Sequence, residues 1–532
     1  MGHQVRVALL MVAASVFALA DNYPRQRGID AQHYIFRVTL SDDRDEITSS
    51  SSAIVRFTQD GVTEVALDLA SLKDGKGMVV LEVTMDGAPV HFTHDADRLA
   101  IALPTAPKAG ERREFAVTYH GLPATGLHMV KNKFGERTIF SWNWPTLARQ
   151  WLPVIDHPSD KATSEFLVTA PAHYQVVANG LLVEQLDLGS GLRLTHWKQS
   201  VPIPVWLNNI GVAEFSARHL AAAAGIPLET WVFRQDRANG MVTFDEPLRQ
   251  AIEFFSSHIG PYPYEKLAAV ETSQMGGAME HASAIFFGER SVADRPAFSL
   301  VAHEVSHQWW GDSVTEKDWD DAWLSEGFAT YFAALATEHY QGRDAFVAAM
   351  KRSRDNILAM QKKTPDVAVV HDNLPEIATG RAPVGIVYQK GGWTLHILRG
   401  VIGTEKFWQG IREYYKRYRD ANASTADFRR VMEEVTGRDL RWLFDQWLTR
   451  ADSPVIEGTW RYDAASKKVE LNLTQTQPGE PFRLPMEVSV AGKIEKIELT
   501  ARSQKFGIAA ARQPVSVELD PNTWLLMESK LK

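Results

Sequence analysis

His303 and His307 stand four residues apart with Glu304 between them, in the stretch HEVSHQWWGDSVTEKDWDDAWLSE that runs from His303 to Glu326. On a helix that spacing puts both imidazoles on one face, one turn apart, where they can share a metal ion. The flanks suit a helix: Asp294 can cap it, Pro296 fits its first turn and Gly311 fits its stop. A second helical pattern, from Asp321 to Tyr340, brings Glu326 round as a third ligand, nineteen residues after His307. Two neutral imidazoles and one carboxylate leave a fourth position on Zn²⁺ open, the condition for a catalytic rather than a structural zinc.

With its flanking segments HEVSHQWWGDSVT and WDDAWLSEGFATYF, this pattern resembles the zinc aminopeptidases of the aminopeptidase N and leukotriene hydrolase family. These are gluzincins, whose signature is H-E-x-x-H, eighteen residues, then E. The resemblance implies one Zn²⁺ per chain, held by His303, His307 and Glu326 in a mostly helical, thermolysin-like domain. Glu304 follows the first ligand, so on the helix it can face the open coordination position without binding the metal. It is the candidate general base, taking a proton from the attacking water and passing it to the leaving amine.

Four further segments carry the resemblance. Tyr388, in Val387-Tyr388-Gln389-Lys390-Gly391-Gly392, matches the Tyr-x-Lys-Gly segment where the family keeps its transition-state tyrosine. A phenol suits a carbonyl oxygen that gains charge only as water attacks. Gly277-Ala278-Met279-Glu280-His281 is similar to the Gly-Ala-Met-Glu-Asn segment that binds the substrate's free α-amine. Glu280 would then supply the counter-charge, so that cleavage falls after one residue. The third segment, Ala148-Arg149 with Pro153, Asp156, Pro158 and Lys161, resembles the family's N-terminal domain, as does Asp30-Ala31-Gln32-His33-Tyr34.

The chain departs from the family at several positions. His281, Asp312 and Ser325 each stand where an Asn is usual. Upstream of Ala148, Trp142 and Trp144 replace a pocket Gln and a Glu or Gln that reaches the amine. Gly276, ahead of the amine-binding segment, projects nothing into the first pocket. A roomy, partly aromatic pocket is expected, favouring large apolar first residues over Ala and over acidic ones.

The elements that must hold these residues follow from the periodicity. Residues 25 to about 216 read as all-β, with runs such as Tyr34–Leu40, Ala53–Phe57, Met78–Met85, Glu114–Tyr119, Phe166–Thr169 and Tyr174–Ala178, and a hairpin signal at Asp86-Gly87. The run Ser49–Ser52 reads as a linker or a polar edge strand. Helical periodicity holds from about Phe244 to Leu448, with candidates Glu246–Ser257, Phe346–Gln361, Gly385–Ile402, Glu405–Tyr418, Ala426–Thr436 and Leu440–Leu448. Ser424 and Asp427 signal a helix start, and Asp452-Ser453-Pro454 breaks the pattern. Beyond it, Ile456–Tyr462, Val469–Thr474, Met486–Val490 and Val515–Leu519 alternate as strands. His258, His339, His371 and His396 lack ligand spacing, and Trp309-Trp310 reads as packing.

The expected fold is therefore multidomain α+β. It comprises a signal peptide (1–20), an N-terminal β-domain (21–216), a zinc catalytic domain (217–451) and a small C-terminal β-domain (452–532). The signal rests on Arg6, the apolar run Val7 to Phe17 and the cleavage-like Ala18-Leu19-Ala20. It implies export, periplasmic or secreted, with no membrane span once it is removed. The absence of cysteine rules out disulfides and a thiol nucleophile. A net charge of −8 argues against nucleic acid as the partner. Peptides with a free N-terminus are the expected substrates; the alternatives are a zinc endopeptidase using the same site and a catalytically silent peptide-binding protein. The sequence does not fix the oligomeric state.

Overall fold

The computed structural model describes residues 23–379 and 384–532, so the signal-like segment 1–20 lies outside the described residues. The N-terminal part is built on an eight-stranded sheet. At its centre Ile29–Thr39 runs parallel to Lys161–Pro171 and antiparallel to Ile47–Phe57. Buried and half-exposed residues alternate along Lys161–Pro171, as a strand with one face on the core requires. The Asp86-Gly87 hairpin forms as expected: both residues have positive φ (51° and 83°), and Met85 pairs with Ala88.

The serine run is neither a linker nor an edge. Ile47–Phe57 lies between Ile29–Thr39 and Arg112–Leu122, and Ser49, Ser51 and Ser52 are buried. Ser49 Oγ donates to Arg37 O at 2.8 Å and lies 3.0 Å from Ser51 Oγ, which lies 3.3 Å from Tyr119 Oη. Hydroxyls that find partners next door can sit inside a sheet.

A five-stranded sheet follows, with strands Phe215–Ala223, Ile226–Phe233, Leu267–Thr272, Ala284–Gly288 and, at its edge, Ala278–Met279. The strands Leu267–Thr272 and Ala284–Gly288 interrupt the stretch that reads as helical. Both are short and wholly buried, so neither shows a period. The expected helices otherwise form to within a few residues, from Glu246–His258 to Arg441–Leu448. Ser424 and Asp427 close a reciprocal capping box on Thr425–Thr436.

The histidine helix spans Phe298–His307 and departs from expectation at its start, because Ala297 occupies the cap position and no side chain caps it. Asp294 is not the cap. The segment before the helix is instead pinned to Thr243, whose Oγ1 donates to Ala293 O and accepts from Ala293 N, and whose carbonyl accepts from Ala297 N. Two C-terminal sheets, of four and three strands, complete the fold. Among the described residues no helix is long and apolar enough to cross a membrane.

Candidate metal centre and active site

Three helices converge on the site: the histidine helix, the glutamate helix Trp323–Gln341 and the tyrosine helix Val384–Ile402. The last two cross at glycines. A Cβ on Gly327 would lie 2.9 Å from the Gly391 backbone, and one on Gly392 would lie 3.2 Å from Gly327 O. Only bare backbone allows so close an approach. It brings Tyr388, one turn before Gly391, against Glu326, the residue before Gly327.

Glu326 sits in the first turn of its helix, where a carboxylate is favoured by the helix dipole. His303 Nε2 and His307 Nε2 lie 3.2 Å apart, and Glu326 Oε2 lies 3.5 Å and 3.3 Å from them. Tetrahedral bonds of about 2.0–2.2 Å to Zn²⁺ place neighbouring donors roughly 3.3–3.5 Å apart, so the triangle has the size the ion needs. Glu326 Oε2 is also buried without a hydrogen-bond partner among the described residues, an orphan that a cation would satisfy. His307 Nδ1 lies 3.1 Å from Trp310 O and 3.0 Å from Ser325 Oγ. A carbonyl only accepts, so the ring proton resides on Nδ1 and the Nε2 lone pair faces the triangle. The donor set fits zinc.

The remaining polar residues of the cluster surround this triangle. One carboxylate oxygen each of Glu280 and Glu304 lies with a His307 ring nitrogen inside a group spanning 4.8 Å. Glu280 Oε1 is 3.9 Å from His307 Nδ1. Both carboxyls are buried. Burial lifts Glu304 well above the usual carboxylate range, Glu280 and Glu326 adding to this and His307 opposing it. Burial likewise pushes Glu280 up to about 7. For Glu326 burial is overridden by the neighbouring imidazoles, His307 above all, which hold the carboxyl down at about 2. Tyr388 Oη donates to Glu326 Oε1, and burial together with that carboxylate keeps the phenol protonated.

Glu280 directly follows the edge strand Ala278–Met279, which pairs antiparallel with Phe286 and Phe287. Gly277 O accepts from Gly288 N at 2.7 Å. A Cβ added at Gly276 or Gly277 would meet nothing within 4 Å. Trp144 packs edge-on against Trp319 at 6.3 Å, on the segment leading into the glutamate helix, while Trp142 is half-buried and its backbone N–H donates to Gly126 O. Trp309 and Trp310 are buried against Phe255, Phe328 and Tyr414. His396 is buried between Tyr331 Oη and Thr523 O.

The reading from sequence missed two kinds of residue. One is the set of crossing glycines, signalled only by Gly327 and Gly391-Gly392 inside helical patterns. The other is the role of Lys161, named from sequence only within the N-terminal motif: its buried Nζ donates to Asp312 O, Ser313 O and Thr315 Oγ1 just beyond the histidine helix.

Comparison with known proteins agrees with this geometry. The Peptidase M1 N-terminal domain matches residues 30–207 and the Peptidase family M1 domain matches residues 246–447. A glutamyl aminopeptidase of Mus musculus is 28% identical over 363 residues, covering 63% of this chain and 37% of that protein. The chain thus spans well under half the length of the glutamyl aminopeptidases it matches. A probable aminopeptidase 1 of Sulfurisphaera tokodaii is 24% identical over 84% of this chain and 58% of its own length. An M1 zinc metallopeptidase from Deinococcus radiodurans superposes with a TM-score of 0.70 at 25% identity, covering 81% of this chain and 96% of that one. With both domains present in order and a zinc-sized donor triangle on the expected helices, the chain belongs to peptidase family M1.

Proposed function

We propose that this chain is a zinc aminopeptidase that removes single residues from the free N-terminus of peptides. The observation that carries the reading is Glu280, a buried carboxylate 3.9 Å from a ligand imidazole at the end of an edge strand. A substrate backbone can add to that edge by strand pairing, which leads its α-ammonium to Glu280. The same anchor disfavours the endopeptidase alternative, since an internal peptide bond offers no ammonium to pair.

Zinc, when bound by His303, His307 and Glu326, supplies Lewis-acid polarisation and a more acidic water. Glu304 takes the proton of the attacking water on a carboxylate oxygen and returns it to the leaving nitrogen. Tyr388 Oη, bonded to Glu326 Oε1 before substrate arrives, turns its proton to the carbonyl oxygen as that oxygen gains charge. Glu280 fixes the register, so that the bond one residue in is the one presented.

For the first residue of the substrate the reading is a large apolar side chain. The open space above Gly276 supports it, as does the related Deinococcus enzyme, a mutant of which is bound to a Tyr-Ser-Ala substrate. The names of the glutamyl aminopeptidases favour an acidic residue instead. Trp142 and Trp144 enter this reading as aromatic wall, Trp144 offering a ring face to the ammonium. Segment 1–20 supports export, and the domain boundaries at 216 and 451 belong to the same proposal, although the strand Phe215–Ala223 runs across the first of them.

The test is a panel of Ala, Leu, Phe, Arg and Glu amides, free and N-acetylated, with and without a chelator. Chelator-sensitive cleavage of free amides alone is expected, with Leu and Phe leading. Equal cleavage of the acetylated set would overturn the aminopeptidase reading, and a Glu or Ala preference would overturn the pocket.

A further inference from the structure

The residue directly after the second histidine, Gln308, is fully buried and uses its whole hydrogen-bonding capacity. Its Nε2 donates to Glu280 O and to Asp312 Oδ2, both at 2.9 Å. Its Oε1 accepts from Ser283 N at 2.8 Å and lies 3.0 Å from Tyr262 Oη, whose single proton it shares with Lys266 O at 2.9 Å. A primary amide has two N–H donors and one oxygen with two lone pairs, so nothing is left over. The orientation of the amide is fixed as well, because reversing it would set oxygen against oxygen at Glu280 and N–H against N–H at Ser283.

These four bonds join two things that the chain otherwise keeps apart. Gln308 belongs to the end of the histidine helix, one residue beyond the metal ligand His307. Glu280 O and Ser283 N open and close the turn 280–283, in which Ser283 takes a positive φ of 63°. The carboxylate of Glu280 rides on that turn. The far side of the turn is tied elsewhere: Ala282 O accepts from Asn179 Nδ2, Ser283 Oγ from Gly180 N, and Ser283 O from Lys266 Nζ. On the near side, Gln308 holds the turn to the histidine helix.

We propose that Gln308 is a positioning residue that sets the distance between the Glu280 carboxylate and the metal ligands, and so the strength with which a substrate's α-ammonium is gripped. The proposal rests on the aminopeptidase reading above. Gln308 touches neither substrate nor metal; it acts through Glu280. A purely structural amide would, on replacement, weaken all binding and the fold together. A positioning amide should weaken the amine grip selectively.

Two inhibitors separate these cases without turnover: leucine hydroxamate, which carries the α-amine, and isocaproyl hydroxamate, the same molecule without it. Both bind through the hydroxamate at the metal, so their affinity ratio reads the amine anchor alone. The zinc-loaded parent should favour the amine-bearing compound; equal affinities in the parent would sink the aminopeptidase reading itself.

Gln308→Met, of similar shape, leaves the two turn groups unbonded. It should lower affinity for leucine hydroxamate by about tenfold or more, while isocaproyl hydroxamate stays within about twofold and zinc content is unchanged. Gln308→Glu keeps the shape and some of the bonds, and Tyr262→Phe removes only the phenol's contacts to Gln308 Oε1 and Lys266 O, so each should shift the same ratio by less. These two variants carry the test should Gln308→Met not fold. A parent-like ratio in the variants that fold, or an equal loss for both hydroxamates, would overturn the proposal.

Discussion

The sharpest test of the geometry is Gly327→Ala, a single methyl placed where the glutamate and tyrosine helices cross. Its Cβ would lie 2.9 Å from both Gly391 C and Gly391 Cα, and 3.1 Å from Gly392 N. Carbon contacts settle at about 3.5–4.0 Å, so the helices must part by roughly 0.6–1 Å. Backbone on both sides leaves no rotamer to absorb the change, and a close-packed interior passes it on. Overpacking of this kind costs about 1–3 kcal/mol of stability. The functional cost is larger, because Tyr388 is carried on the moving helix one turn from the crossing. A misplacement of about 1 Å at a reacting group costs on the order of 10²-fold in rate. The assay is kcat and KM on leucine amide, with zinc content and thermal unfolding measured on the same preparation. Zinc retained with kcat down about 10²-fold identifies a displaced tyrosine, whereas lost zinc would locate the damage in the ligand triangle. An alanine variant with the parent's kcat and melting temperature would refute the argument.

Three further outcomes are expected. Glu304→Gln should retain zinc and lose most activity while His303→Ala loses both, which metal analysis and a leucine-amide assay decide. Tyr388→Phe should lower kcat/KM by about 10²–10³ with a smaller change in ground-state binding, and an unchanged kcat would remove Tyr388 from the mechanism. Burial holds Lys161 down at about 8 against an ordinary value of 10.5. The folded chain therefore binds fewer protons than the unfolded one between those values, and the penalty of a buried charge, complete below pH 8, lifts as the pH rises to 10.5. The melting-temperature difference between the parent and Lys161→Met should shift in the parent's favour across that window, and a pH-independent difference would contradict it.

What was legible in the sequence was local. His303, Glu304 and His307 need only one helical turn to converge, and that turn is written in their spacing. Glu326 needed one assumption more, that the next helix folds back on the first. Tyr388 and Glu280 are distant in the chain, and only their flanking motifs marked them. Where local reasoning failed, tertiary contacts had taken over. Asp294 has a good cap side chain, but Thr243, some fifty residues earlier, pins the segment and the helix starts later. Ser49–Ser52 looked solvated because serine is polar, yet Arg37 O and Tyr119 Oη supply partners inside the sheet. Gln308 carries no signal of its own, since nothing in the chain announces that its four partners come from three separate segments.

The division of labour in the site follows from where each part is anchored. The metal ligands belong to two neighbouring helices, and the bonds that hold them come from those helices, from Trp310 O just beyond the first and from Tyr388 on the tyrosine helix. The turn that carries Glu280 is different: Asn179 Nδ2 reaches Ala282 O at 2.7 Å, Asn209 Nδ2 reaches Ala284 O at 2.8 Å, and Gly180 N reaches Ser283 Oγ at 2.7 Å. These three come from the N-terminal β-domain and its junction with the five-stranded sheet. The metal site is thus internal to the helices, whereas the proposed amine anchor is suspended between Gln308 on one side and the β-domain on the other. Loosening the β-domain should therefore degrade recognition of the free N-terminus before it degrades metal binding. On this account the N-terminal domain takes part in the site. It holds the carboxylate that would make the enzyme count one residue from the end.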